Sequence, residues 1–386
     1  MYALSQSALG VPVRPQNPYR ILKARRGASP YREEPSTPLA EKAKSLEASL
    51  VTAFLKAVDV VNTQIPQGPL LAALETGSAS EVLRVADVGT RIDQALRGKG
   101  IGPKEFSFTE AWTRVYQAGM QVAVEELANI PVSKALSEEV EKAAKKNKPA
   151  MTVGVQIALD VRSPESEAFI QTYLFDLIRE VSQKTVEVIR AVILDGFTRG
   201  TGPIDTARDL RESIGLTATQ SQAVMNFKSF LIDSRTDASV LREALSRELR
   251  DHRYDATLQA ALNGKITLTR DQINKMATRY RERYRKYRAE MIARTETARA
   301  AIAGQNEVWR QALEQGLLHR ERTRRVWLLA FGACDLCAEI PRANPDGVPL
   351  GQSFNSSDGP ISDPPRHPHC RCGTGLKFLP RKRWEV

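Results

Sequence analysis

The chain has 386 residues, a formal net charge of +11 and 42% hydrophobic residues. That length can bury sizeable cores and predicts two or three domains. No apolar run approaches the roughly 18 residues that a membrane-spanning helix needs, and the N-terminus lacks the apolar segment of a secretory signal. We therefore expect neither a membrane protein nor an exported one.

Residues 1–40 are rich in proline and carry an excess of basic side chains. Proline removes amide donors and blocks helix interiors, and apolar residues are too few here to build a core. We predict an arm that is disordered or becomes ordered on a partner. Tyr19, Ile21, Leu22 and Tyr31 are its candidate anchors.

Residues 41–162 are predicted to form an N-terminal helical region, because apolar side chains recur there at helical spacing. The clearest runs are Leu46, Leu50, Phe54 and Val58, followed by the stretch from Phe106 to Asn129. Residues 142–149 form a lysine-rich connection, and residues 151–161 alternate like a strand.

Residues 163–325 are predicted to form a helical core with well-marked helix starts. Ser163 followed by Pro164 is typical of a helix N-cap with proline in the first turn. We predict a long helix from there to about Gly200. Pro203 should open a short helix with Ile204, Ala207, Leu210 and Ile214 turned inward. Thr217 with Gln220, and Thr269 with Gln272, have the spacing of capping boxes.

A basic stretch at residues 279–288 interleaves arginines with tyrosines. Tyr280, Tyr284 and Tyr287 share one helix face, and we predict that they pack inward. The basic side chains remain open to two interpretations: they contact phosphates or an acidic partner, or they pair with acidic neighbours and solvent. The candidate contact residues are Arg279, Arg281, Arg283, Arg285, Lys286 and Arg288.

All four cysteines and two of the four histidines lie near the C-terminus. Cys334-Asp-Leu-Cys337 places two thiols on one tight turn, and His367-Pro-His-Cys-Arg-Cys372 follows about thirty residues later. Soft ligands in two such clusters are typical of structural zinc sites. Disulfide pairing or inert thiols are the alternative interpretation.

A catalytic interpretation has little support in the sequence. Thiolate-rich ligands suit closed structural sites, whereas a zinc hydrolase needs an open coordination position and a carboxylate base. The phosphate-binding Gly-Lys-Ser/Thr motif and the Gly-x-Ser-x-Gly elbow are both absent. Asp363, His367 and His369 could be imagined as a nuclease centre, but their spacing does not favour it.

Several motifs together resemble the phage Mu F-like minor head protein family, also called the phage head morphogenesis proteins. They are Ile292-Ala-Arg-Thr-Glu-Thr297, a tryptophan about a dozen residues later, the Cys-x-x-Cys pair after an apolar strand, and the closing His-Pro-x-Cys-Arg-Cys. The resemblance covers roughly residues 165–378. It places the terminal motif of the family on Cys334, Cys337, His367, Cys370 and Cys372.

Five candidates exceed the four ligands of a structural zinc ion. We expect Cys334, Cys337, His367 and Cys370 to bind it, with Cys372 as the main substitute. His369 lies beside the motif and is a weaker candidate.

The resemblance implies a structural, non-enzymatic virion protein of low copy number. It would lie in the head interior or at the portal vertex, and in the host cytoplasm during assembly. The implied partners are the portal protein, a scaffold or major capsid protein, and packaged DNA contacted weakly and without sequence preference. A virion-carried DNA-processing metalloenzyme, such as a nuclease, is the alternative.

These observations predict a mainly α-helical chain with a small zinc-stapled α+β module at residues 326–380 and a basic tail at 381–386. Within the helical part, Arg294, Thr295 and Glu296 are expected to form a helix-docking network. A catalytic role for these three residues is the less favoured interpretation.

Overall fold

The computed structural model describes residues 35–102, 107–128 and 163–380. These ranges are mainly helical, with a small three-stranded antiparallel sheet near the C-terminus, which confirms the predicted fold class. Most of the predicted arm, the lysine-rich connection, the strand-like residues 151–161 and the basic tail lie outside the described residues. None of the described helices is long and apolar enough to cross a membrane.

Helices precede the sheet along the chain, and one more helix lies within the sheet region. The helices are α1 (Pro38–Gln64), α2 (Gln67–Glu75), α3 (Ala79–Ala86), α4 (Val88–Leu96), α5 (Phe108–Ala128), α6 (Pro164–Thr198), α7 (Pro203–Ser213), α8 (Ala218–Asp233), α9 (Leu241–Leu245), α10 (Asp255–Leu262), α11 (Arg270–Glu314) and α12 (Asp335–Ala343). The strands are β1 (Thr323–Leu328), β2 (Val348–Pro349) and β3 (Gly373–Phe378).

The predicted helix starts are confirmed. The hydroxyl of Ser163 accepts a hydrogen bond from the amide of Ser166 and caps α6. Thr217 and Thr269 each form a capping box with the glutamine three residues later, at the starts of α8 and α11. These bonds satisfy amides that a helix leaves without an internal partner at its first turn.

Helix α11 is the central element, with 45 residues. At 1.5 Å per residue it is roughly 67 Å long. It packs most heavily against α5 and α1. Two glycines make the α5 contact close: a Cβ on Gly119 would lie 2.1 Å from the carbonyl oxygen of Ala301, and one on Gly304 would lie 2.2 Å from that of Tyr116.

The main hydrophobic cluster unites both predicted helical regions. It contains Phe54 and Trp112 from the first region together with Ile189 and Ala301 from the second. A second cluster joins α8, α9 and α10 to the N-terminal part of α11. Residues 41–162 and 163–325 therefore share a core where the structure describes them.

One inward side chain of the short helix α7 was predicted wrongly. Ile204 is 66% exposed, whereas Ala207, Leu210 and Ile214 are buried as expected. The buried face of α7 is formed by Thr206, Ala207, Leu210 and Ser213, and Ile204 in the first turn points away from that face.

The C-terminal module is a sheet in the order β2-β1-β3, with α12 beside it. β1 and β3 pair over six residues each, ending at Leu328 opposite Gly373. The apolar run at residues 326–331 could be read from the sequence as a buried strand, but only its first three residues belong to β1, and Leu329 and Phe331 beyond β1 are 36% and 68% exposed. A small core that includes Trp327, Ile340 and Phe354 lies against the cysteines.

Candidate metal centre

Helix α12 presents the first pair of thiols. Cys334 precedes the helix with an extended backbone, and Cys337 lies one turn inside it. The amide of Cys337 donates a 3.1 Å hydrogen bond to the carbonyl oxygen of Cys334, which closes the tight turn between them. The Cys-x-x-Cys spacing therefore directs both sulfurs towards the same end of α12, where Cys337 is completely buried.

A loop before β3 presents the second group of ligands. The amide of Cys370 donates a 3.2 Å hydrogen bond to the carbonyl oxygen of His367, so the chain turns sharply there. Arg366 fixes this loop to α12, because its guanidinium lies 2.7 Å from the carboxylate of Glu339 and also donates to the carbonyl oxygen of Leu336. The pairing of β1 with β3 then holds the end of the loop next to the sheet.

The two groups converge as the sequence predicted. Nε2 of His367 lies 3.2 Å from Sγ of Cys334 and 3.4 Å from Sγ of Cys337. Sγ of Cys337 lies 3.7 Å from Sγ of Cys370. Donor atoms within 4.8 Å of one another form two sets that share Cys337, one completed by Cys334 and His367 and the other by Cys370 and Cys372. This five-residue cluster could hold a metal ion.

The donor atoms of the cluster interact strongly with one another. Hydrogen bonding with Cys337, and then with His367, lowers the pKa of the Cys334 thiol to about 4. Burial alone would lower the pKa of His367, but its contacts with Cys334 and Cys370 outweigh that effect and raise it to about 11. Deprotonated sulfur is the form that binds a metal. All four cysteines carry free thiols.

The weaker candidate, His369, lies beside this cluster. Neither donor set found among the described residues contains it. His369 is buried with a left-handed backbone (φ 68°), and its ring centroid lies 5.7 Å from that of Tyr287 on α11. Burial, followed by the charge of Arg294, lowers its pKa to about 4.

The carboxylate of Asp363 is partly buried and held by hydrogen bonds from neighbouring side chains. Its carboxylate accepts hydrogen bonds from Arg325 at 2.6 Å and from Asn306 at 3.0 Å. Burial raises its pKa against the opposing effect of Arg325. Within the described ranges, Asp363 belongs to neither set of metal donors, so the imagined centre of Asp363, His367 and His369 does not assemble.

The predicted basic contact surface on α11 needs a correction. Arg281 and Arg288 are only 4% and 3% exposed, so these two do not offer the surface contact with nucleic acid or an acidic partner for which they were candidates. Arg281 pairs with Asp209 and Glu212 of α7, and Arg288 lies over the ring of Phe54, 5.9 Å from its centroid. The physical reason is that α11 is packed from several sides, which also buries these flanking positions.

The remaining candidates on this stretch differ in their surroundings. Arg285 is half-buried and donates to the carbonyl oxygens of Ile214 and Arg211. Arg283 donates to the carbonyl oxygen of Arg250, while Arg279 and Lys286 are exposed beside acidic neighbours on the same helix. The inward packing of the tyrosines is confirmed for Tyr280 and Tyr284 and is partial for Tyr287.

One contact beside the cluster had no signal in the sequence, and another involves a predicted motif. Arg371, between Cys370 and Cys372, binds the carboxylate of Glu47 on α1, 324 positions away. Glu296 of the Arg-Thr-Glu motif accepts hydrogen bonds from Tyr173 and Arg299. Glu296 therefore joins helices, in agreement with the predicted docking role.

Comparison of the chain with protein-family models, with curated proteins and with solved structures finds no match. The interpretation of the site therefore depends on its geometry and on the chemistry of its donor atoms.

Proposed function

We propose that the cluster binds one zinc ion and that this ion has a structural role. Around a tetrahedral zinc with Zn–S distances of about 2.3 Å, two sulfur ligands are separated by roughly 3.8 Å. The separation of Cys337 and Cys370, 3.7 Å, is close to that value. Thiolate-rich donor sets with buried sulfurs are characteristic of closed sites, which leave no position for a reactive water.

The preferred ligands are Cys334, Cys337, His367 and Cys370. Cys337 is common to both donor sets, and Nε2 of His367 lies within 3.4 Å of Cys334 and Cys337. Its Nδ1 lies 2.9 Å from the carbonyl oxygen of Pro368, and a hydrogen bond there leaves Nε2 as the metal-binding nitrogen. Cys372 lies close enough to replace one ligand.

We propose further that the protein is a structural minor head protein of a tailed bacteriophage. The observation that carries this proposal is the convergence of the two Cys/His clusters beside the helix with the Arg-Thr-Glu motif. Arg294, Cys370 and Cys372 line the same small cleft. The residues that carry the resemblance to the Mu F-like family thus form one structural unit. The function proposed here is the one that this resemblance implies.

In this role the protein would dock at the portal vertex and assist head morphogenesis and DNA packaging or ejection. The proposed partners are the portal protein and, during assembly, a scaffold or major capsid protein. The test is co-purification with the portal assembly, followed by measurement of location and copy number in purified particles. We expect a few copies per particle at one vertex. Metal-dependent cleavage of DNA by the purified protein would favour the virion-carried nuclease instead, and absence from particles would contradict both functions.

Weak, sequence-independent contact with packaged DNA is part of the same proposal. Because Arg281 and Arg288 are buried, this contact would use the exposed Arg279, Arg283 and Lys286. Salt dependence is the slope of the logarithm of the binding constant against the logarithm of the salt concentration. Each phosphate contact that is lost reduces the size of this slope by about one. Arg279→Gln combined with Lys286→Gln should therefore reduce that slope by about two.

The matched control for the DNA experiment neutralises two exposed basic residues elsewhere, Arg242 and Lys265. Their replacement by glutamine should reduce the slope less than the double substitution of Arg279 and Lys286 does. Binding that does not respond to salt, or that weakens equally in both double variants, would contradict a DNA contact at this face of α11.

A further inference from the structure

The metal cluster lies where the two ends of the described chain meet. Thr37 caps α1 and lies against β3, since a Cβ on Gly373 would be 3.2 Å from the Thr37 hydroxyl oxygen. The hydroxyl of Ser36 donates a 2.6 Å hydrogen bond to the carbonyl oxygen of Leu329, just beyond β1. The first residues of α1 are therefore held by the C-terminal module.

An ion pair of two hydrogen bonds reinforces this junction. Both terminal nitrogens of Arg371 donate to the carboxylate of Glu47, with Nη2 at 3.0 Å. The side chains of Arg371 and Glu47 are only 9% and 20% exposed. A paired arginine and carboxylate with this two-point geometry is among the stronger polar contacts in proteins, and separation would leave both charges partly desolvated.

The position of Arg371 couples this pair to the metal cluster. Arg371 lies between Cys370 and Cys372, so its backbone is part of the loop that supplies ligands. Leu39 and Ala43 of α1 line one cleft with Cys370, Arg371 and Cys372. A metal ion that restrains Cys370 also restrains the backbone from which Arg371 reaches Glu47.

We propose that metal binding latches the N-terminal part of α1 to the C-terminal module through the Arg371–Glu47 ion pair. This inference rests on the metal site proposed above and adds a conformational role for it. With metal bound, Arg371 is held in place and residues 37–47 are docked. Without metal, the loop at residues 367–372 gains freedom, and the start of α1 loosens while α5 and α11 stay packed.

Because of thermodynamic linkage, the coupling can be measured both as docking of α1 and as affinity for zinc. If metal binding favours the docked α1, then docking must strengthen metal binding by the same factor. Breaking the ion pair at Glu47, far along the chain from every ligand, should therefore weaken the affinity for zinc. If the loop only carried ligands, substitution of Glu47 on α1 would leave the affinity for zinc unchanged.

The experiment compares the full-length chain with zinc and after chelation by hydrogen–deuterium exchange of the amides in residues 41–50. In the wild type we expect exchange to rise about tenfold on metal removal, the factor typical of losing a charged hydrogen-bonded contact. Amides of α8 serve as the internal reference. Glu47→Gln with zinc bound should show a similar rise, keep its zinc, and bind zinc about tenfold more weakly in competition with a chelator.

The matched control is Glu41→Gln, which changes an exposed acidic residue of the same helix. It should leave both exchange and zinc affinity unchanged. Equal exchange of residues 41–50 with and without zinc would overturn the latch while leaving the zinc site intact. Normal exchange and affinity in Glu47→Gln would also overturn it. A wild-type chain that binds no zinc would overturn both proposals.

Discussion

The hydroxyl of Tyr173 donates a 2.7 Å hydrogen bond to the carboxylate of Glu296, and this bond joins α6 to α11 across the main core. Arg299 donates to the same carboxylate at 3.0 Å. Glu296 is only 4% exposed, and burial raises its pKa against the opposing effects of Arg299 and Tyr173. Loss of either donor would leave a buried acceptor with fewer partners.

The first prediction follows from that contact. Tyr173→Phe keeps the ring that stacks on Trp112 at a centroid distance of 5.1 Å but removes the hydroxyl. Because a buried acceptor then loses a donor, we expect a loss of about 1–3 kcal/mol in the free energy of unfolding. Urea denaturation followed by circular dichroism measures it. Tyr254→Phe, a half-buried tyrosine outside that core, is the control and should change stability by less than about 0.5 kcal/mol.

A second prediction concerns acid stability. Hydrogen bonding from Arg253, aided by Arg283 of α11, lowers the pKa of Asp251 from 3.8 to about 2. A carboxylate with a lowered pKa in the folded state stabilises the fold above its unfolded pKa, and that contribution disappears as the pH falls through the folded value. Asp251→Asn should therefore be less stable than the wild type at pH 6, with the difference closing between about pH 4 and 2.

The measurement for Asp251 is the free energy of unfolding of both proteins at several pH values. Loss of metal in acid affects the two chains equally, so their difference isolates the ion pair. A difference that stays constant down to pH 2 would show that Asp251 acts through packing and not through its charge.

The third prediction tests the choice of zinc ligands. Cys337→Ser should reduce the zinc content from about one ion per chain to almost none, because Cys337 belongs to both donor sets. The module should then unfold at lower denaturant while the helical signal persists, since metal binding supplies folding energy to such small modules. Cys372→Ser is the matched control and should retain zinc. Elemental analysis showing retention in Cys337→Ser and loss in Cys372→Ser would reverse the assignment.

A fourth prediction concerns the close approach of α5 and α11. Gly304→Ala would place a methyl group against the backbone of Tyr116, which cannot move without shifting α5. We expect a loss of about 1–3 kcal/mol from overpacking, despite the better helix propensity of alanine. The control is Gly68→Ala in α2, where a Cβ meets no atom within 4 Å and should be neutral or slightly stabilising. Thermal unfolding of both variants gives the comparison.

Local signals in the sequence predicted local structure well. The capping boxes at Thr217 and Thr269 form as expected, because their partners lie three residues away. Cys334 and Cys337 share a turn for the same reason. The predicted convergence of this pair with His367 and Cys370 also holds, since few other soft ligands exist in the chain.

The sequence was less informative wherever burial depends on distant elements. A helix rich in arginine resembles a solvated surface, and the pairing of Arg281 with acidic residues of α7 depends on how α7 docks. The contact between Arg371 and Glu47 spans 324 positions, and no spacing rule relates residues so far apart. The exposure of Ile204 likewise depends on which face of a short helix meets its neighbours.

The contact between α1 and the metal-binding loop has a consequence for biosynthesis. Glu47 is synthesised 324 residues before Arg371, which at about 5–20 residues per second is a delay of roughly 15–65 s. Early in that interval the apolar face of α1, with Leu50 and Phe54, can pack only on elements that have already been made, such as α4 and α5, and β3 is the last strand to follow. Helix α1 can therefore pack on α4 and α5 while the chain is still short, whereas the ion pair between Glu47 and Arg371 can form only after the loop that carries the metal ligands has left the ribosome.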